Sequence, residues 1–335
     1  MKRIFTLLSV AVLLLPAAGC GSKSSGKLLP NISGKAGEVV VVLGKTEWKG
    51  ELGTQVRDLL TADMPYLPQS EPLYTLVNVP PTSFSNMFKV HRNILDFHIA
   101  SDVTEPGLVI LNDRWARSQC VLRINAPDAA TASAIFREKG EFILSAIEQA
   151  ERDRVISNAR HYEEGSLFVS VVEVFGGSPH FPSGYSLKKK TDDFIWISDE
   201  KQNTIQGVLI YRYPAAGEDF SEASIIARRN EVMRENVPGK FDNTYMTTAD
   251  GFVTPGIRHL RYKGRHFTET RGLWEVENDY MGGPFVSHSF YTPDGKDILV
   301  VEAFVYAPQK DKRQLLRQVE SLLYSFEWRE SKKQN

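Results

Sequence analysis

Between Glu269 and Phe285 the chain places carboxylates, an arginine and large aromatics close enough together to do chemistry. In an extended strand Glu269, Arg271, Leu273, Glu275 and Glu277 share one face, while Trp274 and Val276 share the other. Glu275 and Glu277, two residues apart, are the raw material of an acid–base pair, one protonated to donate and one ionised to accept. The same carboxylates beside Arg271, with Trp274, Tyr280 and Phe285 near them, could instead hold a glycan or peptide by stacking and charged hydrogen bonds. Tyr280-Met281-Gly282-Gly283-Pro284-Phe285 predicts a loop whose glycines admit close backbone approach. Nine of the 45 residues from Tyr262 to Tyr306 are aromatic, against 10% chain-wide, so the binding surface is expected here. The plain alternative needs no ligand: aromatics in a core and charges on a solvated face.

Other chemistry is scarce. G-x-S-x-G, H-E-x-x-H, C-x-x-C, G-x-x-x-x-G-K-[ST] and G-x-G-x-x-G are all missing from the sequence. The seven histidines are scattered without metal-ligand spacing. His259 and His266 flank Lys263-Gly264, where a hairpin could bring them together, yet no metal or other cofactor is expected. Lys+Arg 40 against Asp+Glu 41 leaves a formal charge of −1, with no basic excess to attract nucleic acid. The hydrophobic fraction of 42% and charged fraction of 24% exclude a disordered chain or a polytopic membrane protein.

The N-terminus speaks of location. Lys2 and Arg3 precede a nearly unbroken apolar run, Ile4–Leu15, too short to span about 30 Å of hydrocarbon. Residues 1–19 therefore read as a signal peptide, and Ala17-Ala18-Gly19-Cys20 resembles a lipobox, with Cys20 the lipidated residue. Palmitate-type chains on Cys20 would anchor the protein to a membrane, since stable attachment takes more than one acyl chain. Residues 20–37 read as the lipidated cysteine and a Gly/Ser-rich flexible tether. Lys23, Lys27 and Lys35 lie in that tether, and the first acidic residue after Cys20 is Glu38. A surface-export system that reads acidic residues should not select it, so the expected place is the outer membrane, facing the periplasm. Cys120 is the only other thiol; it sits among alternating apolar residues and is expected to be buried and inert, with no intramolecular disulfide possible.

The elements that must position all this read as two tandem modules. Glu38–Leu43 is a β-branched strand, Trp48, Leu52, Val56, Leu59 and Leu60 trace one helix face, and Leu73–Val79 is a second strand. Strands at Ile94–Ala100, Leu108–Leu111 and Gln119–Asn125 lead through Ala126-Pro127 into a long helix that frays near His161. Gly165 marks the boundary. Beyond it come a helical spacing at Leu167, Val171, Val174 and Phe175, strands at Tyr185–Lys190, Phe194–Ser198 and Ile205–Tyr213, and a Ser221-capped helix. From Thr244 to Ala307 the chain is nearly all strand, and Lys310–Ser325 closes as an amphipathic helix. The expected fold class is α+β: two modules, 38–163 and 164–330, each an antiparallel-rich sheet covered by helices.

Gly37-Glu38-Val39-Val40-Val41-Val42, Phe88-Lys89-Val90-His91-Arg92-Asn93-Ile94, Asp193-Phe194-Ile195-Trp196 and Thr270-Arg271-Gly272-Leu273-Trp274-Glu275 with Gly282-Gly283-Pro284-Phe285 resemble segments of an uncharacterised lipoprotein family common in the Bacteroidetes. That family is catalogued only as a domain of unknown function. The resemblance covers nearly the whole chain after the signal peptide and implies a lipid-anchored envelope protein; it brings no activity, cofactor or catalytic residue. In its strand–helix–meander–helix order the second half is also similar to the Mog1/PsbP-like α/β/α sandwich, a likeness of fold that carries no function. The expected function is non-catalytic: binding an envelope glycan, a peptide or another envelope protein, or a structural part in the envelope. The rival expectation is a periplasmic hydrolase acting on an envelope glycan or peptide.

Overall fold

The computed structural model describes residues 28–329 except 216, 218, 219, 250 and 252. The expected signal peptide, Cys20, Lys23 and Lys27 lie outside the described residues. Among the described residues no helix is long and apolar enough to cross a membrane.

In the first half β1 (Glu38–Val42), α1 (Lys45–Lys49) and α2 (Glu51–Leu60) lead to β2 (Thr75–Val79). A short α3 (Asn86–Lys89), β3 (Asn93–Ile99), β4 (Gly107–Ile110) and β5 (Cys120–Ala126) follow. The sheet order is β2-β1-β3-β5-β4. The α+β class holds, but here the pairing departs from the antiparallel-rich expectation. β1 runs parallel to β2 and β3, and β3 runs parallel to β5; β4 alone is antiparallel to its neighbour. A strand that returns through a helical crossover comes back in the same direction, and β1–α2–β2 is such a unit. The valine run of β1 suits a strand buried on both faces. Val39 and Val41 pack under the helices, while Val40 and Val42 meet Val79, Ile94 and Val121 on the far side.

Residues 30–37, expected as flexible tether, are fastened to this sheet. Arg117 donates its backbone N–H to the Pro30 carbonyl at 2.9 Å, Ser33 bridges His91, and Thr75 donates to the Gly37 carbonyl at 2.9 Å. Backbone groups that find partners at a sheet edge do not stay free.

α4 (Ala129–His161) starts where Asp128 accepts from the Thr131 N–H. At 1.5 Å per residue its 33 residues reach about 50 Å, long enough to serve both halves. Ala132, Phe136, Ile143 and Ile147 face the first core, while Ile156 and Ala159 belong to the second.

The second half holds α5 (Gly165–Phe175), β6 (Gly177–Ser178), β7 (Ser186–Lys190), β8 (Phe194–Lys201), β9 (Thr204–Pro214) and the Ser221-capped α6 (Glu222–Asn236). Then come β10 (Met246–Ala249), β11 (Gly256–Tyr262), β12 (Arg265–Val276), β13 (Gly282–Tyr291), β14 (Asp297–Tyr306), α7 (Arg313–Leu323) and β15 (Glu327–Trp328), which pairs with β6. Eight strands form one antiparallel sheet, β10-β12-β13-β14-β9-β8-β7 with β11 also on β12. One face carries Val208, Val286, Val301 and Val305 towards α5, α7 and the end of α4; the other carries Trp274, Phe285 and Phe304 towards Met233 of α6. With both faces covered, β12 has no solvated face. The loop expected at 280–285 shrinks because β13 begins at Gly282. A Cβ on Gly283 would lie 2.0 Å from the Val305 carbonyl oxygen, so this glycine admits the chain at the end of β14 rather than a ligand.

Candidate functional site

Where α4 passes from one core to the other, Glu148 and Arg152 stand one turn apart on the face turned to α7. α7 answers with Arg317 and Glu320, spaced to share one side of the helix. β12 adds Glu269 and Arg271, two residues apart on one strand face, and β11 adds Arg258. With the segment Met64–Tyr74 closing the far side, these residues surround a cleft of about 490 Å³ between the two halves.

The charges interlock. Arg271 donates Nε to Glu269 Oε1 at 2.8 Å and Nη2 to Glu320 Oε1 at 2.5 Å, bridging strand to helix. Arg258 reaches Glu269 Oε1 at 2.6 Å from the mouth, where its side chain is 63% exposed, and the Tyr324 hydroxyl donates to Glu269 Oε2 at 3.1 Å. Glu148 accepts from the Tyr74 hydroxyl at 2.8 Å and from Arg317 Nε at 3.2 Å. Arg152 stands over the Tyr324 ring at 3.7 Å and 4.0 Å from Glu148, the loosest ion pair in the cleft. Four arginines face three glutamates, so the wall carries one positive charge in excess.

Burial alone would push the Glu269 carboxyl up, but Arg271 outweighs it and holds the group far below the usual carboxylate range. Glu148 is treated likewise: burial raises it, and Arg317 and then Arg152 bring it below its ordinary value. Neither is a proton donor near neutral pH. Tyr324 is pushed up by burial and by Glu320 and Glu269, so its hydroxyl stays protonated and donates.

Tyr66 lines the cleft with φ of 61°, a left-handed conformation that costs roughly 1–2 kcal/mol in an L-residue. A Cβ on Gly256 would sit 2.0 Å from the Tyr66 hydroxyl, so the bare glycine lets that ring close against β11. With Met64, Leu73 and Leu144 it makes the apolar side of the cleft.

Of the residues singled out in the sequence, Glu269 and Arg271 are in this cleft. Glu275 is half-buried beside Thr247 and Gly282, Glu277 lies past the end of β12, and Tyr280 is fully exposed at the turn; none of the three lines it. Glu275 and Glu277 thus do not converge with Arg271. Trp274 and Phe285 face the opposite core, the indole donating to the Val305 carbonyl at 3.3 Å. Strand alternation placed them there, and α6 covers that face. His259 and His266 do sit on paired strands, but among the described residues no three metal-ligating side chains gather. Cys120 is buried, and burial pushes its thiol up to about 11.

Glu148, Arg152, Arg258, Arg317, Glu320 and Tyr324 escaped the sequence reading. One signal was available: Arg317 and Glu320 fall inside the apolar stripe Leu316, Val319, Leu323 of α7, and buried charges inside a stripe need partners.

His288 lies behind Glu269, fully buried, with its Nε2 3.8 Å from Glu269 Oε2 and neither ring nitrogen hydrogen-bonded. Burial lowers it to about 4, so it is neutral in the folded protein at pH 7. The unfolded chain binds this proton near pH 6.5, so folding stability falls as the pH drops from 6.5 towards 4, by about 3 kcal/mol at 1.36 kcal/mol per unit. His288→Phe keeps a ring against Phe267 and Tyr324 and should flatten that limb of the pH profile. Urea midpoints at pH 7 and 4.5 check this; an unchanged pH dependence in the variant would count against it.

No curated protein matches the chain. Residues 32–160 match the family described as Domain of unknown function (DUF8532), and residues 166–325 match that described as Domain of unknown function (DUF4837). The two matches, both to domains of unknown function, stand in tandem along the chain, and the cleft lies where they meet.

Proposed function

We propose that this is a lipid-anchored protein of the outer membrane, facing the periplasm, that binds an acid-bearing envelope ligand in the cleft between its halves without transforming it. One observation carries the reading: the cleft's arginines outnumber its carboxylates beside an apolar wall. A carboxylate on the ligand would meet Arg258 at the mouth and Arg152 deeper in, while its body lies against Tyr66, Leu73 and Leu144. A peptide with a free carboxyl terminus, or an acidic glycan, fits this chemistry. Acid–base hydrolysis fits it poorly, because a general acid needs a carboxyl held protonated, and Glu269 and Glu148 are held the other way. The anchoring part rests on the terminal apolar run and Cys20.

The test compares short peptides with free and amidated carboxyl termini by isothermal titration. The free acid should bind about tenfold tighter, a difference of roughly 1.4 kcal/mol, and Arg258→Gln should erase most of it. Equal binding of acid and amide would overturn the ligand assignment. For the anchor, Cys20→Ser should leave the protein unlabelled by palmitate and outside the membrane fraction; continued labelling would overturn it.

A further inference from the structure

A second cleft, of about 370 Å³, opens on the other side of the α4–α7 seam, lined in part by Ala36, Arg92, Arg154, Lys201, Gln314 and Arg317. Two carboxylates also line it, and both are occupied. Glu151, 2% exposed, takes Arg92 Nη2 at 2.8 Å, Asn93 Nδ2 at 2.7 Å and Arg154 Nη1 at 3.1 Å; Asp199 takes Lys201 at 2.8 Å. Arg317 is paired with Glu148 across the seam, so Arg92, Arg154 and Lys201 against Glu151 and Asp199 leave one positive charge without a counter-charge.

Buried hydrogen-bonding atoms are also left over here. Arg317, 3% exposed, has no partner for Nη1, Arg92 has none for Nε, and Gln314 has none for either amide atom. A Cβ on Gly37 would lie 1.9 Å from Gln314 Nε2 and 3.2 Å from Arg317 Nη1, so these atoms crowd one small space beside that glycine. Water can satisfy such groups but cannot neutralise a charge. A tetrahedral oxyanion does both, accepting from guanidinium and amide N–H groups arriving from different directions. Gln314 Oε1 needs a donor, which a carboxylate lacks and a hydroxyl next to a phosphate provides.

We propose that this cleft binds the phosphate of a polyol phosphate of the glycerol phosphate type, with Arg92, Arg317 and Gln314 Nε2 on the phosphate and Gln314 Oε1 accepting from the neighbouring hydroxyl. The same chemistry is offered by a free glycerol phosphate and by a phosphatidylglycerol headgroup.

The probes are glycerol 3-phosphate, inorganic phosphate and vesicles of phosphatidylcholine with and without phosphatidylglycerol, titrated against the full chain carrying Cys20→Ser. Saturable binding of glycerol 3-phosphate, several-fold tighter than inorganic phosphate, is expected if the free compound is the ligand. Binding only to the phosphatidylglycerol vesicles assigns the headgroup, provided Gln314→Leu abolishes it. In the soluble case Gln314→Leu should remove the preference for glycerol phosphate over phosphate. Lys201→Gln, at the rim where the side chain is 70% exposed, should weaken binding by about 3–10-fold without touching the core. Arg258→Gln, at the other cleft, should leave this binding unchanged, so the two sites fail or stand separately. No binding to any of these probes, or binding indifferent to both Gln314→Leu and Lys201→Gln, would overturn the proposal.

Discussion

Arg229→Leu should cost about 3–5 kcal/mol of folding stability, the usual effect of stranding one partner of a buried ion pair. Arg229 reaches from α6 onto the sheet face opposite the first cleft and is 1% exposed. Its Nη2 donates to Glu302 Oε1 at 2.7 Å, its Nε to Glu302 Oε2 at 3.0 Å, and its Nη1 to the Thr248 hydroxyl at 2.9 Å. The guanidinium also lies 4.0 Å over the Phe285 ring. Without it the Glu302 carboxylate, in the middle of β14 and fully buried, loses its counter-ion. Replacing both members, Arg229→Met with Glu302→Leu, removes the charge along with its partner and should recover much of the loss. A double-mutant cycle on urea midpoints measures the coupling. If Arg229→Leu alone were neutral, α6 would not be held to the sheet by this pair.

Residues 165–330 expressed alone should lose most of their stability, although they contain the entire eight-stranded sheet. The second core includes Met64, Leu67, Ile156 and Ala159, all supplied by the first half. The N-terminus of α7 is capped from outside: Glu71 accepts from the Lys312 N–H at 2.7 Å and the Arg313 N–H at 2.9 Å, and α7 has no side-chain cap of its own. An external cap of that kind is worth roughly 1–2 kcal/mol. Cutting at 165 also strips Arg317 of Glu148, leaving a guanidinium that was 3% exposed without its carboxylate. Apolar contacts, cap and ion pair together exceed about 5 kcal/mol, much of a typical domain's margin. The fragment should show a weak or broadened urea transition, and the full chain a single cooperative one. A fragment as stable as the full chain would show that the second sheet folds on its own contacts.

The periodicities in the chain were enough for the elements. The valine run of β1, the spacing of α2, the Ser221 cap, the strand-rich stretch after Thr244 and the apolar stripe of α7 all lie where hydrophobic period and capping chemistry put them, while α4 starts two residues after Pro127, at a cap made by Asp128. Those are local properties, set by which side chains can share a face or satisfy a helix end. The sense of the first sheet was also latent in its strand–helix–strand order, since a helical crossover returns the chain in the same direction.

The site was decided by tertiary structure. Glu269 and Arg271 were legible as a pair on β12, but a charged strand face looks the same in sequence whether water or a helix lies over it. Here α4 and α7 lie over it, so the pair became the floor of a cleft, whereas Glu275 and Glu277, a few residues further along, stayed at the sheet's rim. Glu148 and Arg152 lie 117–123 positions before β12's Glu269–Arg271, Arg317 and Glu320 lie 46–51 positions beyond it, and nothing in their own segments names those partners. Local pattern determines which face a residue occupies. Only the packing of distant elements determines what that face meets, and with it which charges are paired, buried and available to a ligand.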